Sequence, residues 1–401
     1  MSTPVVPIAP GKPERIASLA GLRAFALLLG VVLHSLMSFG TIPWVVTDVS
    51  RSPIADAIVG WIHMFRMPLF FALAGYFART SLARKGPSAF ALDRAKRILA
   101  PLVVFWPIGV LPIIVVAVAY AITHPELPAA PPSDDPLAIA TPAHLWFLWS
   151  LTQIYAMALL LAWLLPKVTP AGLLRTGSRT LARALTGRLA PLWAAIPLAF
   201  ALWLQPTGIV GPATLRPELA ATIAFGGAFG VGWCWAGTSD ALDRIRRSWM
   251  WRLALAVTLT MPCLILGVPA AEAGRSPLLL ALTLVAYPLA SWSWVLGLVG
   301  LAATHLRQPR PVVRYLADAA YWTYLTHLGW VCALQFVLAG LAWPWPIKAV
   351  AVLVAAMAAS LGTYHFLVRS TAIGRWLNGR AYPFRWPFQR AVPSPLPEAS
   401  R

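Results

Sequence analysis

Ten apolar runs of membrane-spanning length, joined by short polar segments, constrain this chain more than any other feature. They fall at about 16–40, 54–78, 98–122, 144–165, 189–205, 219–238, 250–270, 277–303, 316–340 and 347–368. About 20 helical residues span about 30 Å, the thickness of a hydrocarbon core, and lipid offers backbone amides no partner outside the helix itself. The expected fold is therefore all-α, a polytopic transmembrane helix bundle. The run at 189–205 is the weakest, short and interrupted by Pro191 and Pro197. Of 401 residues, 59% are hydrophobic and 11% charged, whereas a soluble domain carries about 25% charged residues. A soluble enzyme is thereby excluded.

The basic residues set the expected orientation. With the N-terminus in the cytoplasm, cytoplasmic segments hold twenty-five lysines and arginines; outer loops hold only Arg51, Arg216, Arg275 and Lys348. That alternation supports an even number of spans with both termini cytoplasmic. The formal charge of +19 is an orientation signal, because these arginines are divided among short loops. No nucleic-acid partner is expected. Residues 1–15 are polar and Pro-rich and run into a full-length apolar stretch without a small-residue cleavage pattern, so no secretory leader is expected. The expected organisation is a cytoplasmic segment at 1–15, a ten-span domain over 16–368 and a basic-aromatic tail over 369–401. The tail alternates arginine with Trp376, Tyr382, Phe384, Trp386 and Phe388, a pattern suited to an anionic inner leaflet. Cys234, Cys263 and Cys332 lie in apolar runs without paired spacing and read as core residues; no metal site is expected. The outer segment near 124–143 holds Glu126, Asp134 and Asp135 but is too short for an enzymatic domain. Any chemistry then sits inside the bundle.

Ionisable residues inside spans cost a few kcal/mol each at mid-depth, so their positions are informative. Arg23 and His34 are eleven positions apart in the first run. Eleven steps of about 100° return to within about 20° of the start, and about 1.5 Å per residue separates the two by about 16 Å in depth. The pair points to a polar path entering the bundle; the alternative is a snorkelling arginine and a packing histidine. In the second run His63 and Arg66 are one turn apart, with Arg66 near mid-span. That arginine needs an anion, a wet cavity, or carbonyls freed by a helix break at Pro68. Arg94 and Arg97, at the cytoplasmic start of the third run, form a basic cluster able to hold phosphates, although positive-inside bias also places arginines there. His144 with Trp146 and Trp149 begins the fourth run and is either an interfacial anchor or a binding site. Tyr324 and His327, with Tyr321 a turn away, are either a satisfied buried pair or part of the same site.

At these places the chain resembles the acyltransferase 3 family of polytopic membrane enzymes, and within it the branch that succinylates periplasmic glucans. The resemblance is carried by LAGLRAFALLLGVVLH (19–34), IHMFRMPLFFALAGYF (62–77), HLWFL (144–148) and YWTYLTHL (321–328), together with the ten-run layout. The family usually has an acidic residue shortly before the first arginine; here Ala20 stands in that place. The resemblance implies a multi-pass protein of a bacterial inner membrane. It would transfer an acetyl or succinyl group from cytoplasmic acyl-CoA to a hydroxyl of an extracytoplasmic glycan. Acyl-CoA is then a donor substrate, and no permanently bound cofactor is implied. His34 would be the general base or a transient acyl acceptor. Arg66 and His63 would stabilise the oxyanion, and Arg23, Arg94 and Arg97 would hold CoA phosphates. His144, Trp146, Trp149, Tyr324 and His327 would receive the sugar.

The rival expectation is a transporter or flippase for a glycan or lipid-linked substrate, since intramembrane arginine and histidine also suit a proton-coupled carrier. Against it, no inverted repeat stands out and membrane carboxylates are scarce, Asp318 being the best candidate. A scaffold without chemistry leaves His34 and Arg66 unexplained.

Overall fold

Each of the ten apolar runs contains a helix, and every regular element among the described residues is helical. The computed structural model describes residues 13–125, 141–209, 211–266, 276–306, 308 and 310–384. Residues 1–12, most of the acidic outer segment with Glu126, Asp134 and Asp135, and the tail from 385 onward, including Trp386 and Phe388, lie outside them. In chain order the helices are α1 (Pro13–Met37), α2 (Pro53–Lys85), α3 (Pro87–Thr123), α4 (Ala143–Val168), α5 (Ala171–Ala184), α6 (Ala190–Leu204) and α7 (Leu219–Trp235). They continue as α8 (Ala241–Arg246), α9 (Trp249–Ile265), α10 (Pro277–His305), α11 (Pro311–Leu338), α12 (Trp345–Val368) and α13 (Ala372–Asn378). Six contain segments long and apolar enough to cross a membrane, in α1, α2, α3, α4, α10 and α12, while α6, α7 and α9 are shorter apolar helices. The chain is a polytopic membrane bundle.

Four apolar clusters hold the described residues together, and two of them frame a cavity. The larger is built from α2, α6, α7 and α10 around Phe71, Phe225, Trp235 and Trp292. Another joins α3, α11 and α12 around Phe105, Leu325 and Tyr364. In the first, α2 and α7 meet backbone to backbone. A Cβ on Gly232 would overlap the Ala72 carbonyl, and one on Gly75 would overlap that of Phe229. In lipid, such close van der Waals approach replaces the hydrophobic drive between helices. Gly232→Val is therefore expected to cut the yield of folded, monodisperse protein in detergent severalfold, measured by fluorescence size-exclusion chromatography. Gly172→Val, where an added Cβ meets nothing, is the control.

Three features depart from expectation. α2 runs unbroken from Pro53 to Lys85 with Pro68 inside it, so no broken helix supplies carbonyls to Arg66; the continuous packing of α2 on α7 holds the helix through the proline. The basic stretch after α4 is itself helical, and α5 carries Arg175, Arg179 and Arg183 at four-residue spacing along one side. Finally, the described start of the tail packs on the bundle. Asn378, Arg380 and Tyr382 all bond to Asp318, the latter two to its carboxylate at 2.6 and 2.7 Å. That hydrogen bond also raises the Arg380 guanidinium above its ordinary range. The Asp318 carboxylate accepts charge-assisted hydrogen bonds there. Asp318, the carboxylate available to a proton carrier, is thereby occupied.

Candidate active site

One cavity of about 1210 Å³ runs between the two cores, walled by α1, α2, α3, α4 and α11. Arg23, His34, His63, Arg66, Arg94, Arg97, His144, Trp146, Tyr324 and His327 all line it. The helical periodicity of α1 delivers Arg23 and His34 to the same wall, and that of α2 does so for His63 and Arg66. Trp149 does not face the cavity. α4 begins with a tight turn at Ala143–Leu145, and Trp149 turns to the loop before α7, where its indole donates to the Leu215 carbonyl at 3.1 Å. It anchors a loop, so of the two tryptophans only Trp146 lines the wall, its ring centroid 5.3 Å from that of Phe225.

One end of the cavity is cationic. Arg84, Lys85, Arg94, Arg97 and Arg380 gather there, with Arg23 exposed to the open space and within electrostatic reach of Arg94, Tyr155 and Asp318. Asp93 is the organiser that sequence reasoning missed. It accepts from Lys85 at 2.8 Å, from Arg97 at 3.1 Å and from Arg94. Its spacing, one and four residues before the two arginines, was the available signal. A π-turn at Ala95–Leu99 sits at this point of α3. Two of its carbonyls are taken by side chains from elsewhere, Lys96 by the Trp376 indole at 2.7 Å and Arg97 by the Tyr321 hydroxyl at 2.8 Å. π-turns inside helices recur at functional sites. Gly379, left-handed at φ 75°, ends α13 and lets the chain turn beside the Arg97 guanidinium.

The other end is a cluster of imidazoles. The His327 ring lies 5.4 Å from His34 and 5.4 Å from His144, centroid to centroid. His327 Nδ1 sits 3.0 Å from the carbonyls of both Thr323 and Tyr324, which assigns the proton to Nδ1 and leaves Nε2 as a bare base without a partner among the described residues. His144 Nε2 points to the Leu325 carbonyl at 3.4 Å, and its Nδ1 is unpartnered, as is His34 Nδ1. The Tyr324 hydroxyl donates to the His144 carbonyl at 2.8 Å, fixing α11 to the start of α4.

Arg66 is the unusual cation. Gly30 makes room for it, since a Cβ there would collide with the guanidinium. Its Nε is buried and unpartnered, and no carboxylate pairs with it among the described residues. Arg252 provides the contrast: fully buried, it donates through its terminal guanidinium nitrogens to the carbonyls of Ile245, Thr186 and Gly187 and ties α9 to the α5–α6 turn. Both arginines leave Nε without a partner among the described residues, but the terminal nitrogens of Arg252 are taken up by the fold, whereas Arg66 faces the cavity. Unpartnered cation and bare imidazole nitrogens together can stabilise developing negative charge and accept a proton. Among the described residues no cluster of histidine, cysteine or carboxylate side chains is arranged to hold a metal ion.

Comparison with known proteins identifies the family. The family profile described as an acyltransferase domain, acyltransferase 3, matches residues 16–365. Glucans biosynthesis protein C of Escherichia coli (strain SMS-3-5 / SECEC) is 27% identical over 161 residues, covering 40% of this chain and 41% of that protein. The Salmonella paratyphi B (strain ATCC BAA-1250 / SPB7) protein of the same name is 29% identical over 132 residues, covering 32% and 34%. These alignments thus span less than half of either relative. No solved structure matches. Because the profile covers nearly the whole helical bundle, the chain belongs to the acyltransferase 3 family of membrane acyltransferases.

Proposed function

We propose that this enzyme transfers a short acyl group, acetyl or succinyl, from cytoplasmic acyl-CoA to a hydroxyl of an extracytoplasmic glycan. In this reading all ten apolar helices cross a bacterial inner membrane, both termini are cytoplasmic, and residues 16–368 form the catalytic domain. The observation that supports it is the continuity of one cavity from the cationic end to the imidazole cluster. A phosphate-bearing donor suits the first end and a neutral hydroxyl the second.

The chemistry follows from the side chains. A sugar hydroxyl is a weak nucleophile at neutral pH, so His34 takes its proton as the oxygen attacks the thioester carbonyl. The carbonyl oxygen becomes an oxyanion facing Arg66, with His63 a turn away on the same wall. Collapse of the tetrahedral intermediate breaks the carbon–sulfur bond and releases CoA thiolate. Transient acylation of His34 would serve instead if the two substrates never meet. His144, Trp146, Tyr324 and His327 surround the acceptor, and Arg23, Arg94 and Arg97 hold the donor phosphates. Purified protein given radiolabelled acetyl-CoA or succinyl-CoA is expected to release CoA thiol and label a glucan oligosaccharide. Uptake of a glycan into vesicles with no thiol release would favour a transporter or flippase.

Two expected outcomes follow directly. Arg94→Ala/Arg97→Ala should raise the KM for acyl-CoA by about tenfold or more, on the scale of losing charge-assisted bonds, and leave the acceptor KM nearly unchanged. Unaltered donor kinetics would remove these arginines from the donor site. Reporter fusions at Gly86 and after Phe384 should both report cytoplasm; a periplasmic signal at either would overturn the span count between them.

A further inference from the structure

Among the described residues His34 Nδ1 has no hydrogen-bond partner, so the ring is oriented there by something other than a hydrogen-bonded carboxylate. The loop from 38 to 52 supplies a candidate. Trp44 reaches back from it into the cavity and stacks on the His34 imidazole, with centroids 5.6 Å apart and planes 18° from parallel. The His327 ring lies 5.4 Å from His34 at a 42° tilt. The Trp44 indole N–H donates to Gln335 Oε1 at 3.0 Å, and the Gln335 amide donates in turn to the backbone carbonyl of His34 at 2.9 Å. Trp44, Gln335 and His34 therefore close a ring of contacts.

The loop presenting Trp44 is itself held firmly. Ser38 Oγ donates to the Val46 carbonyl at 2.7 Å, and the Tyr120 hydroxyl to that of Thr47 at 2.7 Å. Asp48 pairs with Lys348 of α12 through both carboxylate oxygens at 2.9 Å, with both side chains at most 1% exposed. Breaking a buried pair by removing one partner is strongly destabilising, so this pair ties the loop to α12. Resting on the reading of His34 as the base, we infer that Trp44, set by Gln335, is a positioning residue for His34. It keeps the imidazole in the rotamer that faces the acceptor hydroxyl. The stacked indole face also tolerates the ring once it is cationic, since indole attracts cations.

The test uses full-length enzyme in detergent, with acetyl-CoA and succinyl-CoA as donors, glucan oligosaccharide or water as acceptor, and thiol release as readout. Trp44→Leu removes the stack and is expected to lower kcat by about tenfold or more while donor KM stays within about twofold. Trp44→Phe keeps a ring on His34 and should restore kcat to within about threefold of the parent. Gln335→Met, which keeps volume and loses both hydrogen bonds, should reproduce part of the kcat loss. On a His34→Ala background, Trp44→Leu should add no further loss, because the indole acts through the imidazole. A second measurement needs no substrate turnover: carbethoxylation of His34 by diethyl pyrocarbonate, followed by mass spectrometry. Trp44→Leu should speed it about fivefold or more, with Trp44→Phe near the parent rate, as expected where packing no longer locks the ring in one rotamer and its nitrogens become accessible. An unchanged carbethoxylation rate, an unchanged kcat per folded enzyme, or a raised acceptor KM at full kcat would each overturn the inference. A parent enzyme that releases no thiol would overturn the acyl-transfer reading instead, and the carbethoxylation rates would still decide the role of Trp44.

Discussion

His34→Ala is expected to lower acyl transfer by about 10²–10⁴-fold, the usual cost of losing a general base. Expression and insertion should hold, because the change removes a polar ring from an apolar helix and leaves no packed partner charged. His34→Gln is the sharper variant. It keeps volume and a hydrogen-bonding amide but has no basic nitrogen, so its thiol release from acyl-CoA should be nearly as low. A histidine kept for packing against Trp44 and His327 would tolerate glutamine. If the glutamine form keeps more than about a tenth of the parent kcat, His34 is not the base. Attention would then move to His327, whose Nε2 is bare and whose ring is already oriented by two carbonyls.

Arg66→Leu should cost about 10²–10³-fold in kcat, the range for removing one oxyanion donor from a water-poor site. Arg66→Lys should recover only part of this, since a point charge on a flexible stem does not reproduce a fixed guanidinium beside Gly30. Stability offers the discriminating control. A buried arginine satisfied by carbonyls, such as Arg252, holds the fold, so Arg252→Leu should lower thermal stability. Among the described residues Arg66 makes no such carbonyl bonds, and Arg66→Leu should leave the melting temperature unchanged or raised while activity falls. Full activity with a lowered melting temperature would make Arg66 a structural cation.

Much of the site was readable from helical periodicity. Arg23 with His34, and His63 with Arg66, share faces because their spacings are near-integral numbers of turns, and a local rule suffices for that. The placement of ten apolar runs, each found to contain a helix, needed only hydropathy and length. Trp149 failed because the turn at Ala143–Leu145 and the loop before α7 settled its direction. Pro68 failed as a breaker because packing on α7 carried the helix through it. Asp93 was visible at helical spacing, yet its hold on three cations depends on the turn at Gly86 that folds Lys85 back onto α3.

The sequence by itself determined that this chain is a helical membrane bundle and which helix faces carry its charged and titratable groups, because burial in lipid and the period of the helix are local physics. Only the tertiary structure decided which of those faces meet. His34 touches Gln335 across 301 positions, Asp48 pairs with Lys348 across 300, and Arg380 reaches Asp318 across 62. Contacts between elements so far apart follow from how helices pack around one cavity, a choice made by glycine-sized gaps, ring stacking and buried ion pairs rather than by any residue's own propensity.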